Sequence, residues 1–372
     1  MIQKKVKKGF SLFSDVYHYN FGRYFHPLSP TQLQINITYR CNSRCQACQI
    51  WQMKPKKEMN LREWEKVMKD PIFGGIRYLL LAGGEPVLHP ELLELVKIFI
   101  SAMPKLQSLN LVTNGLLAKR TVAVVKDLAL LSERKRINFS VSVSLDGLGN
   151  TNDSLRGIPG AFLKTKNTIL GLAKIQKKYS FGLGVSGVVS RKNLIEITEV
   201  DNWCKTIKIP FNFQIIGFHK TYVQNLKNQN DLDFRPPDRE VLLKLIGKLA
   251  DKKNKKDLRS YLRTYYWEDM SRLYQGGKRS TPCPFVLDAF AIGSLGDVYY
   301  CLSEDSIGNV RQGKSASQIY FDAENLEKRK EMAKSVCLKC NSGCMVTSAI
   351  AKDFRKFLFY LLTGKLGPSG VY

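Results

Sequence analysis

Short apolar runs alternate along the chain with longer segments in which apolar residues return every three or four positions. The runs predict strands at residues 33–38, 78–82, 108–113, 139–145, 183–189 and 211–216. The stretches between them, such as LREWEKVMKD and PELLELVKIFISAM, have the spacing of amphipathic helices. Six strands that alternate with helices predict an α/β fold with a parallel sheet, either open or closed into a partial barrel. Ligands of such folds bind at the carboxyl ends of the strands.

The alternation stops near residue 218. A polar segment with a Pro-Pro pair, HKTYVQNLKNQNDLDFRPPDR, leads into two predicted helices, and five cysteines follow it. We therefore predict five parts: a basic and aromatic extension (1–32), the α/β domain (33–218), a linker with helices (219–280), a small cysteine-rich domain (281–350) and an amphipathic tail (351–372).

Composition narrows the class of protein. Hydrophobic residues at 44% and charged residues at 24% are ordinary for a globular chain. The chain has no apolar run of the roughly 20 residues that a membrane span needs, and its N-terminus lacks the apolar core of a signal peptide. We therefore expect a cytoplasmic protein. The net charge of +26 is compatible with nucleic acid, an anionic membrane surface or an acidic partner protein.

Three cysteines follow the first predicted strand in ITYRCNSRCQACQIW, at Cys41, Cys45 and Cys48. In a cytosolic chain, such clusters indicate metal ligands rather than disulfides. Three thiolates on one loop can hold three corners of a 4Fe–4S cluster and leave one iron open. Zinc is the alternative metal, but a structural zinc site normally has four protein ligands, so iron–sulfur is favoured.

The second predicted strand ends in LLLAGGEPVLHP. Gly83 and Gly84 would let the backbone approach a ligand closely, and Glu85 could meet a cationic amine. An ordinary strand-to-helix turn is the alternative interpretation of a lone Gly-Gly pair.

The order of these motifs resembles the radical S-adenosylmethionine (SAM) superfamily. Further matches follow at the next strand ends: Thr113, Asn114, Gly115, Ser142, Ser144, Asp146, Gly147 and Arg156. The resemblance covers about residues 33–218 and implies a partial (β/α)6 barrel. It implies that the three cysteines bind a 4Fe–4S cluster whose open iron takes SAM. Reductive cleavage then yields a 5′-deoxyadenosyl radical, which abstracts hydrogen from a substrate.

The resemblance also implies roles for single residues. Gly83, Gly84 and Glu85 would hold the methionyl amine, and Asn114 would belong to the cofactor-binding residues. Ser144 or Asp146 would meet the ribose, and Arg156 the carboxylate of SAM. The position before the third cysteine, usually aromatic in the family, is Ala47 here. Trp51 or Tyr39 could compensate for it near the adenine.

The C-terminal cysteines form a second set, Cys283, Cys301, Cys337, Cys340 and Cys344. SLGDVYYC predicts a β-hairpin with a Gly-Asp turn. A zinc ribbon is one interpretation of the set. After a radical SAM barrel, the pattern resembles the auxiliary-cluster extensions called SPASM and twitch domains. Five cysteines suit the one-cluster form, with Cys283, Cys301, Cys337 and Cys340 as ligands of an auxiliary 4Fe–4S cluster. Cys344 is then spare or replaces one of them.

Cys204 lies on a predicted helix before the sixth strand. A small buried apolar residue is the favoured interpretation. The alternative is a hydrogen donor, as in some radical SAM peptide epimerases.

The resemblance implies a peptide or a small molecule as substrate and an acidic flavodoxin or ferredoxin as electron donor. About 32 residues before the first strand are too few for a leader-binding domain, so we expect any peptide to be recognised by a separate protein or by the barrel. Both ends of the chain, VKKGFSLFSDVYHYNFGRYF and DFRKFLFYLLTGKLG, resemble interfacial helices that could contact an anionic membrane from inside, although packing against the barrel is favoured.

An RNA-binding protein, or a radical enzyme that modifies RNA, is the alternative class. The segment 251–267, DKKNKKDLRSYLRTYYW, mixes basic and aromatic residues, but a solvated helical face explains it better. The chain has no recognised RNA-binding motif, so nucleic acid is disfavoured.

Overall fold

Six parallel strands form where the sequence predicts them. The computed structural model describes residues 16, 17, 19–53, 56–250, 258–343 and 346–370. The six strands are β1 Gln32–Thr38, β2 Tyr78–Gly83, β3 Ser108–Thr113, β4 Asn138–Ser144, β5 Gly182–Val189 and β6 Phe211–Ile215. Each strand pairs in parallel with the next one along the chain. The α/β fold of the radical SAM type, with its open, barrel-like sheet, is thereby confirmed.

Helices separate the strands and continue into the C-terminal part of the chain. They are α1 Leu61–Val67, α2 Leu92–Ala102, α3 Ala118–Arg134, α4 Gly149–Arg156, α5 Ala161–Gln176, α6 Ile197–Thr206, α7 Gln229–Leu232, α8 Pro236–Ala250, α9 Leu258–Tyr274, α10 Pro284–Leu287, α11 Ala316–Tyr320, α12 Ala323–Lys334, α13 Val346–Lys352 and α14 Phe354–Thr363. Short 3-10 helices occupy Gly22–Tyr24, Ile50–Gln52, Pro71–Gly75, Pro86–Leu88, Leu226–Asn228 and Val336–Lys339.

The predicted hairpin extends the same sheet beyond β1. Its strands are β7 Ala289–Gly293 and β8 Asp297–Tyr299, which pair antiparallel, and the short β9 Gly308–Asn309 follows. The sheet order is β6-β5-β4-β3-β2-β1-β7-β8-β9. Gly296 has φ of +93° in the turn, a conformation that favours glycine. β1 therefore has a hydrogen-bonded neighbour on each side, and all seven of its residues are buried.

The chain divides into two units. The barrel unit contains Pro30–Arg235 and Phe290–Tyr320, and the helical unit contains the described residues of Met1–Ser29, Pro236–Ala289 and Phe321–Tyr372. Each unit thus combines segments that are distant in sequence. The five-part division made from the sequence stays a prediction.

The helical unit has a polar core beside its aromatic one. Asp269, which is fully buried, accepts hydrogen bonds from the backbone of Ser280 and Thr281 and pairs with Arg272 at 2.6 Å. Tyr265 packs edge-on against Tyr360 with ring centroids 4.9 Å apart. No helix in the described residues combines the length and the apolar character needed to cross a bilayer.

Candidate active site

The loop of residues 39–50, here called the cluster loop, leaves the carboxyl end of β1 and carries Cys41, Cys45 and Cys48. All three side chains are half-buried. Burial raises the pKa of Cys41 to about 11 and that of Cys48 to about 12, and the neighbouring thiols add to both shifts. The free thiols of Cys41 and Cys48 are therefore protonated at neutral pH, and an iron centre that binds them displaces those protons.

Backbone contacts with the end of α4 fix the cluster loop. The N–H of Arg44 donates to the carbonyl of Arg156 at 2.9 Å, and the N–H of Gln46 donates to the carbonyl of Leu155 at 2.9 Å. Gly157 has φ of +63°, and a Cβ there would lie 2.4 Å from the Arg44 carbonyl oxygen. Only glycine allows the two backbones to approach this closely.

The donor set of the cluster loop fits an iron–sulfur cluster. Three thiols lie on one loop, and Cys45 is close enough to contribute to the raised pKa of both Cys41 and Cys48. Thiolates are the usual ligands of such clusters, and three of them leave one iron free for a small molecule. In the part of the chain that the structure describes, no three His, Cys, Asp or Glu side chains already have an arrangement that would hold a metal ion. The fit therefore depends on the chemistry and the placement of the loop.

Gly83 and Gly84 join the end of β2 to the start of the cluster loop. The N–H of Gly84 donates to the Thr38 carbonyl at 2.6 Å, and the N–H of Glu85 donates to the Arg40 carbonyl at 2.8 Å. A Cβ at Gly83 would lie 2.4 Å from the Thr38 carbonyl oxygen, and one at Gly84 would lie 2.3 Å from that of Arg40. The glycines thus allow close approach of backbone to backbone.

Glu85 is a buried carboxylate that connects the ends of β2 and β3. Its Oε1 accepts from the Thr113 hydroxyl at 2.8 Å and from the N–H of Val87 at 3.1 Å, and its Oε2 accepts from the N–H of Asn114 at 2.7 Å. Burial raises the pKa of Glu85, and these donors oppose the rise. The Asn114 amide donates to Asn42 Oδ1 at 2.8 Å, so the third strand end also reaches the cluster loop.

Asp146 and Arg156 form an ion pair beside the cluster loop. The Nε of Arg156 lies 2.8 Å from Oδ2 of Asp146, although its N–H does not point at that oxygen. The Nη1 of Arg156 donates to the sulfur of Cys45 at 3.7 Å. Burial opposes the charge of Arg156, but Asp146 and then Cys45 favour it, so the pKa of Arg156 lies above its ordinary value. A permanent cation therefore faces the sulfur ligands.

Ser142 and Ser144 of β4 differ in whether their hydroxyl groups are already hydrogen-bonded. The hydroxyl of Ser142 donates to that of Ser186 on β5 at 2.9 Å. Ser144 is half-buried at the end of β4 and has no side-chain hydrogen bond with the described residues. Ser144 is therefore the more available hydroxyl, whereas Asp146 is already bonded to Arg156 and to the N–H of Val188 at 2.8 Å.

Residues 217–228 after β6, which the sequence analysis treats largely as linker, hold the other side of the cluster loop. The buried amide of Asn225 donates to the carbonyls of Ala47 and Gly217, both at 2.9 Å. Gln49 N–H donates to the Val223 carbonyl at 2.7 Å. Sequence reasoning missed this segment, although its position after the carboxyl end of a strand was the signal that could have identified it.

Tyr222 is the second functional candidate that the sequence analysis missed. Its hydroxyl donates to the carbonyl of Gly83 at 3.1 Å, and its ring lies 6.5 Å from that of Tyr39. Burial, followed by the charges of Cys48, Tyr39 and Cys41, raises the pKa of Tyr222 well above its ordinary value. A neutral phenol therefore borders both the cluster loop and the Gly-Gly turn.

The residues proposed to replace the missing aromatic at Ala47 already have partners. The ring of Trp51 lies under the guanidinium of Arg44 at 5.1 Å, and its Nε1 donates to the Cys45 carbonyl at 3.5 Å. Tyr39 contacts Tyr222. Their role toward adenine stays a prediction.

Cys204 lies on α6 and is fully buried. Burial and then the charge of Asp201 raise its pKa to about 12. These properties suit the buried apolar interpretation, and the hydrogen-donor role stays a prediction.

The second cysteine set lies in both units. Cys283, Cys337 and Cys340 belong to the helical unit, where Cys337 is buried and the N–H of Ser342 donates to the sulfur of Cys340 at 3.4 Å. Cys301 follows β8 in the barrel unit, and Cys344 lies outside the described residues.

Comparison with known proteins agrees with this geometry. Residues 35–188 match the model of the radical SAM superfamily. The sporulation killing factor maturation protein SkfB of Bacillus subtilis is 30% identical over 47% of this chain and 40% of its own length. The AdoMet-dependent heme synthase of Methanosarcina barkeri is 25% identical over 76% of each chain.

Solved structures share the fold. SuiB of Streptococcus suis, bound to S-adenosylmethionine, superposes with a TM-score of 0.58 at 18% identity, over 87% of this chain and 75% of SuiB. SuiB bound to the precursor peptide SuiA gives a TM-score of 0.53 at 17% identity, over 92% and 77% of the two chains.

Residues 35–188 and the site that they form are similar to the radical SAM superfamily, whose enzymes cleave SAM at an iron–sulfur cluster. The match covers residues 35–188 of the chain, and the cofactors of the matched family are a 4Fe–4S cluster and SAM. The match to SkfB spans less than half of the length of that protein.

Proposed function

We propose that this protein is a radical SAM maturase that abstracts hydrogen from a peptide. One observation carries the proposal: the cluster loop, the Gly-Gly-Glu turn and the Asp146–Arg156 pair meet at the carboxyl ends of the barrel strands. SkfB is named as a maturation protein, and SuiB has a structure with a precursor peptide; both support a peptide as the substrate.

The chain's own residues would bind and orient the cosubstrate. When bound, the cluster and SAM supply a 5′-deoxyadenosyl radical that takes a hydrogen atom from the substrate. Cys41, Cys45 and Cys48 would hold the cluster, and Gly83 presents a carbonyl that a cationic amine could use in place of the Tyr222 hydroxyl. Arg156 can meet a carboxylate through its remaining N–H groups.

Ser144 and Glu85 would complete the cosubstrate site. Ser144 offers a hydroxyl to the ribose, as the resemblance implies. Glu85 fixes the ends of β2 and β3 through its three accepted hydrogen bonds, and so positions the turn that receives the amine. In this role Glu85 acts through the backbone that it holds.

An auxiliary 4Fe–4S cluster in the C-terminal part is also proposed. Cys283, Cys337 and Cys340 lie in one unit and supply three of the four thiolates that a fully ligated cluster needs. The fourth ligand predicted from the sequence is Cys301, with Cys344 as the spare.

A second candidate function is oxidation of a small molecule. The match to the heme synthase covers 76% of each chain, a longer span than the match to SkfB. Stimulation of 5′-deoxyadenosine formation separates the two candidates: a precursor-type peptide should raise it if the enzyme is a maturase, and a porphyrin should raise it in the other case.

Anaerobic reconstitution tests the enzymatic proposal. The protein is loaded with iron and sulfide, its iron is counted, and it is incubated with dithionite and SAM. We expect about eight irons per chain, two clusters of four, and release of 5′-deoxyadenosine. Cys41→Ala should abolish the cleavage and leave about four irons. Zinc at both sites and no cleavage would overturn the proposal.

We also propose peripheral contact with an anionic membrane through an apolar patch of the helical unit. The patch consists of the exposed residues Tyr17, Phe21, Tyr24, Phe25, Leu358, Phe359, Leu361 and Leu362. The patch has an N-terminal part and a part on α14, and Arg355 at the start of α14 connects them. The guanidinium of Arg355 lies over the rings of Phe21 and Tyr24 and donates to the Tyr24 hydroxyl at 2.8 Å. The basic chain supplies the complementary charge. Of the predicted N-terminal amphipathic segment, residues 6–25, residues 6–15 and 18 lie outside the described residues.

Co-sedimentation with phosphatidylglycerol vesicles at physiological salt tests this contact. Leu362 is 77% exposed on α14, and Leu258 is 60% exposed at the start of α9. Leu362→Asp should weaken vesicle binding, because a buried leucine contributes about 1.5–3 kcal/mol and the new charge is repelled. Leu258→Asp is the matched control and should bind almost as well as the parent protein. No binding by the parent protein would contradict the proposal.

A further inference from the structure

Arg279 is a buried arginine that ties two cysteine-bearing segments of the helical unit together. Its side chain is only 1% exposed. The Nε donates to the carbonyl and the hydroxyl of Thr281, both at 3.0 Å. The Nη1 donates to the carbonyls of Cys340 and Ser342 at 3.1 and 2.9 Å. Its backbone N–H donates to the Leu338 carbonyl at 2.9 Å.

These contacts connect the segment leading into Cys283 with the loop that carries Cys337 and Cys340. Each partner of Arg279 is a carbonyl or a hydroxyl of a residue on one of the two segments. The arginine therefore sets the spacing between the candidate ligands without using their sulfur atoms.

The charge of Arg279 has no carboxylate partner among the described residues. Its side chain donates only to neutral oxygens, and Asp269, whose charge also favours the guanidinium, is in contact with Arg272. A buried cation without a counter-ion is strongly unfavourable, and buried charges in proteins are normally paired. We therefore expect an anion to bind next to Arg279.

One nitrogen of the Arg279 guanidinium also makes no hydrogen bond with the described residues. The Nη2 of Arg279 is buried and has no hydrogen-bond partner within the described part of the chain. The same guanidinium donates to the carbonyl of Cys340 and to Thr281, two residues before Cys283. The anion expected here is therefore one that these two cysteines would bind.

We propose that Arg279 is the counter-charge of an anionic iron–sulfur cluster bound through Cys283, Cys337 and Cys340. As a positioning residue it holds the ligand segments together, and as a cation it raises the reduction potential of the cluster. Reduction adds one negative charge, which a fixed positive charge stabilises. This inference rests on the auxiliary cluster of the proposed function.

The experiment uses the full-length protein carrying Cys41→Ala, Cys45→Ala and Cys48→Ala, so that only the auxiliary cluster is present. Its midpoint potential is measured by potentiometric titration monitored by electron paramagnetic resonance. Arg279→Gln should lower the equilibrium constant for reduction at least tenfold, which is 59 mV for one electron. Arg279→Lys keeps the charge and should shift the potential much less.

Arg263→Gln is the control for loss of one positive charge. Arg263 is exposed on α9 of the same unit, and its removal should leave the potential unchanged. Iron loss in Arg279→Gln, with about four irons retained in Arg279→Lys, would also support the inference, because the charge would then be needed for binding.

Three results would count against it. An unchanged potential in Arg279→Gln at full iron content would overturn the inference, since the charge would not act on the cluster. Iron loss in both variants would overturn it too, because packing rather than charge would hold the site. Absence of iron in the parent triple variant would instead overturn the auxiliary cluster itself, and with it that part of the proposed function.

Discussion

Gly84 leaves no room for a side chain at the end of β2. A Cβ would lie 2.3 Å from the Arg40 carbonyl oxygen and 2.7 Å from its carbon, both backbone atoms that cannot move independently of the cluster loop. We expect Gly84→Ala to push the loop away, to cost about 1–3 kcal/mol of unfolding free energy and to weaken SAM binding. Chemical denaturation and calorimetric titration with SAM measure the two effects.

Gly74 offers the matched control. It lies in the 3-10 helix Pro71–Gly75, and a Cβ there would meet nothing within 4 Å. Gly74→Ala should leave SAM binding unchanged. If Gly84→Ala bound SAM as tightly as Gly74→Ala, the close approach of the two strand ends would not matter for the site.

Replacement of Cys204 should leave the reaction of the enzyme unchanged. Since the thiol is buried, we expect Cys204→Ala to form 5′-deoxyadenosine and product at parent rates. Loss of product with normal cleavage of SAM would instead assign the thiol as a hydrogen donor. Because its folded-state pKa is about 12 against an ordinary value of 9.0, its contribution to stability is complete below about pH 9 and falls as the pH rises toward 12. Denaturation at pH 8 and 11 should show a smaller fall in the variant.

For single residues, the sequence predicts their chemical roles better than it predicts their contacts with one another. The three cysteines and the Gly-Gly-Glu turn are visible as motifs because their spacing is local. The ion pair of Arg156 with Asp146 and the hydrogen bond of Tyr222 to Gly83 join residues that are distant in sequence. Such contacts depend on the register of the strands and on loop paths, which no local pattern specifies.

The segment after β6 acts as a structural element of the site. Asn225 bonds to two carbonyls and accepts from the N–H of His219 at 2.9 Å, so three hydrogen bonds depend on one buried side chain. We expect Asn225→Ala to cost about 1–3 kcal/mol, because buried backbone groups lose their partners. It should also retain less iron on the cluster loop after reconstitution, as measured by iron counting.

Asn228→Ala is the comparison for this element. Asn228 is half-buried and donates one hydrogen bond to the cluster loop, to the Gln46 carbonyl at 2.7 Å. Asn228→Ala should therefore reduce iron retention less than Asn225→Ala does. Equal iron content in both variants and the parent would mean that the segment does not stabilise the cluster loop.

Regular elements could be predicted because their patterns are periodic. The bounds of all six barrel strands differ from the prediction by at most one residue at either end. The segment 217–228 has no such period: its order comes from side-chain amides that bond to carbonyls of another loop. The pairing of β7 with β1 could not be predicted from the sequence either, since a hairpin pattern does not specify which strand the hairpin will pair with.

The charge of the whole molecule should affect how it receives electrons. With a net charge of +26, association with an acidic flavodoxin or ferredoxin should be accelerated by electrostatic attraction and screened by salt. We expect 5′-deoxyadenosine formation driven by reduced flavodoxin to fall several-fold between 50 and 300 mM salt, on the order of the effects known for steered association. With excess dithionite as reductant the fall should be small. Equal salt dependence with the two reductants would contradict electrostatic recruitment.

The position of β7 means that the C-terminal part is not a detachable module. β1, the strand that leads into the cluster loop, has β2 on one side and β7 on the other. A shortened chain ending before residue 289 would leave the backbone groups of a fully buried strand without partners along one side. Open edges of this kind recruit strands from other molecules, so such a fragment should aggregate when expressed alone. Gene fusions and truncations of this enzyme should therefore keep the hairpin with the barrel.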